Sequence, residues 1–196
     1  LVCWNYFADC LTKCSDTFNA NQQIFGKVYF PRLIVPFSIV ISNMVKMGIQ
    51  LVLFLVVYAY YFIVLGTFEI NWTIVLFPVL LLMLASLGLG FGLVISSLTT
   101  KYRDLRFLIT FGVQLWMYAT PVIYPLSVMK QNYPDKIWVI VANPLTAIIE
   151  TFKYGFTGVG VFEWNYLLYS FVMSIAVLLL GIIVFNRVQK NFMDVI

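Results

Sequence analysis

Long apolar tracts separated by short polar stretches set the pattern of this chain. Residues 1–18 read as an apolar helix with a few polar positions. The next tract, Leu33–Leu65, is too long for a simple span. Its first half holds Pro36, Asn43, Lys46 and Gln50, whereas Ile49–Leu65 is almost purely apolar and aromatic. Thr73–Leu98 is about 39 Å long as a helix, enough to cross a bilayer core of roughly 30 Å. Phe107–Ile123 stops at Pro121 and Pro125. Ile137–Ile149 is interrupted by Asn143-Pro144. It is too short to cross and suits a re-entrant or interfacial helix. The last tract runs from Tyr166 to Phe185. The expected spans are therefore 1–18, 33–65, 73–98, 107–123 and 166–185.

Composition agrees. The 196 residues are 62% apolar and 10% charged, where a soluble domain carries about 45–50% and 25%. A soluble domain and a disordered chain are both excluded, and the class is an all-α integral membrane protein. There is no His, which excludes His-based catalysis and His metal sites. No paired acids occur outside the first helix, and Gly90 and Gly92 lie inside a span, so they are not a phosphate loop. A chain that moves a solute must then draw energy from a gradient or a partner ATPase. Cys3, Cys10 and Cys14 fall at helical spacing and read as small buried hydrophobes; a metal site needs a further ligand. The chain enters apolar sequence at Leu1 without a signal-peptide pattern, and a further span is expected before it.

Charge gives an orientation. With these five spans, loops 19–32, 99–106 and 186–196 share one side and hold Lys27, Arg32, Lys101, Arg103, Arg106, Arg187 and Lys190. The opposite side holds loop 66–72 and the longer segment 124–165, with only Lys130, Lys136 and Lys153. The positive-inside rule places the first set, and the C-terminus, in the cytoplasm. Aromatic residues gather at the other boundary, among them Tyr58, Tyr60, Tyr61, Phe62, Trp72, Tyr124 and Trp164. They fit an interfacial belt or rings that face a conduit.

Three stripes run along the spans. Asn43, Lys46, Gln50, Phe54, Tyr58 and Tyr61 share one helical face, and Phe107, Phe111, Gln114 and Tyr118 form a second. Asn5, Asp9, Lys13 and Asp16 form a third, with Asp9–Lys13 and Lys13–Asp16 at ion-pair spacing. A Lys facing lipid is costly, so the stripes fit a shared interior path, or polar contacts that only join helices. On that basis Asn43, Lys46, Gln50, Tyr58, Tyr61, Phe111, Gln114 and Tyr118 are the candidate channel-lining residues. Trp116 lies on another face from Tyr118 and is expected to be an interfacial anchor. Asp104 is expected to cap the helix that begins at residue 105. Gly88, Gly92 and Ser96, with Ser86 and Gly90 beside them, make a close-packing face.

Several stretches occur together in a telling order: Asn19-Ala20-Asn21, Lys27-Val28-Tyr29-Phe30-Pro31-Arg32, Lys101-Tyr102-Arg103-Asp104-Leu105-Arg106, Gln114 through Pro125, Asn143-Pro144 and Phe185-Asn186-Arg187-Val188 with Phe192 and Asp194. The set resembles the ABC-2 type permeases that export polysaccharide, such as O-antigen and teichoic acid transporters. The resemblance implies six spans per permease, of which this chain would hold five, and an assembly of two permeases with two separate ATP-binding subunits. It implies that Asn19–Arg32 is a cytoplasmic coupling element, with Phe25, Lys27, Tyr29, Phe30 and Arg32 docking on the ATPase. It implies that Lys101–Arg106 is a second cytoplasmic turn and that 126–160 forms two short external gate helices. The chain would hold no cofactor itself, with ATP and Mg bound by the partner subunit. A lipid-linked glycan would be the cargo, membrane lipids the surroundings and the bacterial inner membrane the location; no nucleic-acid partner is expected. The other readings are a small-molecule or drug exporter of the same family, and a gradient-driven carrier that uses Asp9, Asp16 and Lys46 as coupling charges. A membrane glycosyltransferase lacks an evident acidic catalytic loop.

Overall fold

Caps and prolines decide where the helices begin and end. The computed structural model describes residues 1–21, 31–66, 71–99, 102, 104–132 and 137–192. Among these no strand occurs, and the order is α1 (Val2–Ser15), α2 (Thr17–Ala20), α3 (Ile34–Leu65), a 3-10 turn (Trp72–Leu76) leading into α4 (Phe77–Thr99), then α5 (Leu105–Ala119), α6 (Leu126–Asn132), α7 (Ile137–Val141), α8 (Pro144–Thr157) and α9 (Trp164–Phe192).

The tract at 33–65 is one uninterrupted helix. Pro36 falls in the first turn of α3, where its missing N–H has no helical partner to lose. The helix ends at Gly66, whose φ of 60° lets its N–H return to the Phe62 carbonyl at 3.2 Å. α5 stops at Ala119 and does not reach residue 123. Thr120 is extended (φ −108°, ψ 139°), because the residue before a proline is pushed out of the helical region. With 15 residues, α5 spans about 22 Å.

Asn143-Pro144 starts a helix where an interruption was expected. The Asn143 Oδ1 accepts the Leu145 N–H at 3.2 Å, and Pro144 occupies the first helical position. The interval 126–160 therefore holds three helical segments, α6, α7 and α8, where two were expected. Among the described residues three helices are long and apolar enough to cross a membrane: Ile34–Val64, Trp72–Thr99 and Trp164–Gln189. α1, with 14 residues, and α5 are shorter.

α4 is the centre of the bundle and α3 its periphery: 44% of an 18-residue apolar stretch of α4 is buried, against 6% of such a stretch of α3. As their spacing predicts, Gly88 and Gly92 admit α1. A Cβ at Gly88 would lie 2.8 Å from the Cys10 Cβ, and one at Gly92 would lie 2.5 Å from the Cys14 Cβ. The three cysteines are buried free thiols on this face of α1. Gly90 serves a different neighbour: its Cβ would lie 2.7 Å from the Val177 carbonyl of α9, and Gly181 approaches it in return. At the foot of the bundle Phe18 stacks on Phe185 with ring centres 4.6 Å apart.

Candidate functional site

The charged positions of α1 do not pair with one another. Asp9 and Lys13 reach α3, and Asp16, at the end of α1, reaches α5. Lys46 of α3 bridges to Asp9 at 2.5 Å, and Arg106 of α5 bridges to Asp16 at 3.2 Å. Lys13 donates to the Asn43 Oδ1 at 2.7 Å, and the Asn43 Nδ2 donates to the Cys10 sulfur at 3.5 Å. The expected i,i+3 and i,i+4 pairs along α1 are thus replaced by clips between helices. Asp9, Asp16 and Lys46, the coupling charges of the carrier reading, are all engaged in these clips.

This divides the α3 stripe. Asn43 is buried against α1, so it does not line an open passage in this protomer. Gln50 is half-buried, while Lys46 and Tyr61 are exposed. Phe54 and Tyr58 turn toward α8: Phe54 lies 5.2 Å from Phe156 and 5.8 Å from Phe152 between ring centres, and Tyr58 meets Phe156 edge-on at 5.7 Å. Tyr61 packs edge-on against its neighbour Tyr60.

The α5 stripe is different in kind. Phe107, Phe111 and Tyr118 are 79%, 60% and 66% exposed, and Gln114 is exposed between them. Trp116 is on the opposite side, as its angle along the helix predicts, but it is not an interfacial anchor. It packs edge-on against Phe7 of α1 at 5.5 Å and Phe91 of α4 at 5.2 Å. Below it, an apolar groove of about 460 Å³ runs between α5 and the α1–α4 pair, lined in part by Leu11, Ile95, Ile109, Gly112 and Trp116. The α3 stripe faces α1 and α8 while the α5 stripe faces away from the bundle, so one protomer does not bring them together.

Sequence reasoning missed a buried ion pair on α8. Glu150 is 1% exposed and bridges to Lys153 at 3.0 Å. Lys153 also donates to the carbonyls of Pro121 and Tyr124, in the turn after α5. The signal was a Glu and a Lys three apart on an otherwise apolar helix behind an Asn-Pro start. Burial, with the Glu150 carboxylate adding to it, raises the Tyr124 phenol above its usual range. It therefore remains a donor, and it donates to the Tyr118 carbonyl at 3.3 Å.

Of the expected coupling residues, Phe25, Lys27, Tyr29 and Phe30 lie outside the described residues, and Arg32 is buried. Asp104 precedes α5 as expected, yet its side chain makes no capping hydrogen bond. Among the described residues no three His, Cys, Asp or Glu side chains converge to hold a metal ion.

The sequence model of the ABC-2 type transporter family matches residues 2–157. The chain belongs to that family. Among its relatives is the O-antigen export system permease protein RfbA of Klebsiella pneumoniae, 25% identical over 194 residues, which cover 98% of this chain and 71% of that protein. The protein of the same name from Myxococcus xanthus is 26% identical over 153 residues, covering 78% of this chain and 56% of the relative. This ABC-2 chain is an all-helical, multi-pass membrane permease.

Proposed function

We propose that the chain is the membrane subunit of an ATP-driven transporter that exports a lipid-linked polysaccharide across the bacterial inner membrane. Two copies would enclose the path, and a separate subunit would bind ATP and Mg and drive it. The observation that carries this reading is the outward face of α5. Gln114 sits mid-helix on that face, flanked by Phe111 and Tyr118. An amide against lipid leaves its hydrogen bonds unmade and costs free energy. Water in a path, or a second copy, relieves that cost. Aromatic rings beside the amide can stack on sugar faces without a tight pocket, and apolar contacts tolerate sliding. This suits a long polymer better than a small solute. The names of the relatives support the same cargo. The distribution of Lys and Arg supports a cytoplasmic C-terminus, which puts Arg106 at the cytoplasmic end of α5 and Tyr118 at the external end.

Deletion and complementation test this reading. In the source cell, loss of the chain is expected to leave lipid-linked glycan on the cytoplasmic side, and the restored chain is expected to export it only with an active ATPase. Export that persists when ATP hydrolysis is blocked would sink the ATP-driven reading. Normal surface glycan in the deletion strain would remove the polysaccharide and leave the small-molecule exporter.

A further inference from the structure

Glu150 and Lys153 have no place on the outward face of α5, yet they hold its end. We propose that Lys153, held by Glu150, is a positioning residue that fixes the Tyr118 end of α5 to α8, so that the two move as one body. The consequence for export rests on the proposed path along α5; the tie itself does not.

A Lys ammonium has three N–H donors, and each has an acceptor here: the Pro121 carbonyl, the Tyr124 carbonyl at 3.3 Å and the Glu150 Oε1 at 3.0 Å. The second Glu150 oxygen accepts the Val161 N–H at 3.4 Å, which extends the tie to the segment that enters α9. A second bond runs parallel to it. The Asn143 Nδ2 donates to the Thr120 hydroxyl at 2.8 Å, and that hydroxyl donates to the Trp116 carbonyl at 2.9 Å.

The last carbonyls of a helix have no partner within it. In α5 they are met by Thr120 and Tyr124, and these in turn are bonded to Asn143, which caps α8, and to Lys153 within it. In the turn, Val122 is buried beside α8, but α5 itself adds little apolar packing to this hold. Val113 is the one buried residue described in α5, and the apolar groove lies beside it. Movement of α8 therefore reaches Tyr118 through the turn, where these hydrogen bonds and the buried Val122 hold it to α8, and not through packing of α5 itself.

The test measures the position of the α5 end directly in the assembled transporter. Spin labels are placed at Ile123→Cys, in the turn, and Val159→Cys, beyond α8, both exposed sites. Cys3, Cys10 and Cys14 are replaced by Ala, and the labelled chain is diluted with unlabelled chain. Lys153→Met is expected to broaden the distance distribution, while Lys153→Arg, which keeps the donors, is expected to retain the narrow one. Exchanging the pair (Glu150→Lys with Lys153→Glu) is expected not to rescue it, because two acceptors are main-chain carbonyls. An unchanged distribution in Lys153→Met, or full rescue by the exchange, would overturn the proposal. If Lys153→Met does not assemble, Asn143→Ala is the second variant; broadening supports the tie and an unchanged distribution rejects it. Ion leak and export in Tyr118→Ala separately test the path: unaltered leak and export there, with broadening in Lys153→Met, would reject the path and keep the tie.

Discussion

α4 and α5 are neighbouring helices that are held by opposite means. Along α4, glycines on two faces bring α1 and α9 to backbone contact: Gly88 and Gly92 against Cys10 and Cys14, Gly90 against Val177 and Gly181. Little can shift there without parting two helices, since close-packed interiors do not yield smoothly. Along α5, polar bonds act at the two ends, Arg106 to Asp16 at one and Thr120 and the following turn to α8 at the other. Between them one face carries Trp116 into the bundle and the other is open. A helix packed by backbone contact is suited to be a fixed frame. A helix held at its ends by a few bonds is suited to move. The contrast places rigidity and motion on adjacent elements, and it can be broken at either.

The largest effect is expected in the frame. Gly90→Leu must displace the α9 backbone, since even a Cβ would lie 2.7 Å from the Val177 carbonyl. Overpacking typically costs about 1–3 kcal/mol and more where backbone must move. Recovery of assembled transporter after detergent extraction is expected to fall sharply. Wild-type recovery and melting temperature in Gly90→Leu would remove the rigid-frame half of the comparison.

Next come the two sides of α5. Trp116→Ala removes a ring wedged against Phe7 and Phe91. A fully buried Trp→Ala change costs about 3–5 kcal/mol, and this half-buried one is expected to cost roughly half of that. Tyr118→Ala, on the exposed side, is expected to leave stability within about 0.5 kcal/mol and to raise ion leak or lower export. Equal losses of stability in the two variants would mean that the exposed face is packed in the assembly and is not a path.

How much of this was legible in the sequence follows from what each signal contains. Hydropathy and glycine spacing report one helix at a time, so the three long apolar helices and the Gly88–Gly92 face were readable. Partners across helices were not. Asp9, Lys13 and Asp16 fit an intrahelical ladder by spacing alone, but α3 and α5 offer Lys46, Asn43 and Arg106 at closer reach. The opposite facing of Trp116 and Tyr118 follows from helical angles, whereas which of the two faces inward depends on where Phe7 and Phe91 sit. Glu150 and Lys153 escaped notice because their importance lies in acceptors some thirty residues away, at Pro121 and Tyr124. The Phe25–Phe30 stretch lies outside the described residues, so its coupling role remains a proposal: Phe25→Ala and Tyr29→Ala together are expected to uncouple ATP hydrolysis from export, and full export in that variant would reject the role.

The Arg106 end of α5 is expected to give a smaller effect. The Arg106 side chain is 62% exposed and its Asp16 partner 16%, and exposed pairs are worth about 0–1 kcal/mol. Arg106→Gln is expected to cost less than Trp116→Ala in a detergent melt. A larger cost would mean that the Arg106 pair is worth more than an exposed ion pair.

The smallest effect separates position from bonding at the start of the same helix. Asp104 stands where an N-cap belongs, and a cap lost to Ala costs about 0.5–2 kcal/mol when its side chain meets the first-turn N–H groups. Here the side chain makes no such bond, and the Asp104 backbone itself is helical (φ −68°, ψ −21°) rather than extended. What remains is a carboxylate near the positive end of a helix dipole, an effect of roughly 0.3–1 kcal/mol at low salt that salt screens. Asp104→Asn, which keeps the shape and removes the charge, is therefore expected to match Asp104→Ala in stability, with both differences from wild type shrinking as salt is raised. A cap would behave otherwise, because Asn caps as well as Asp. If Asp104→Asn retains wild-type stability while Asp104→Ala loses it at every salt concentration, α5 is capped after all, and its Arg106 end is held more like the frame than like a hinge.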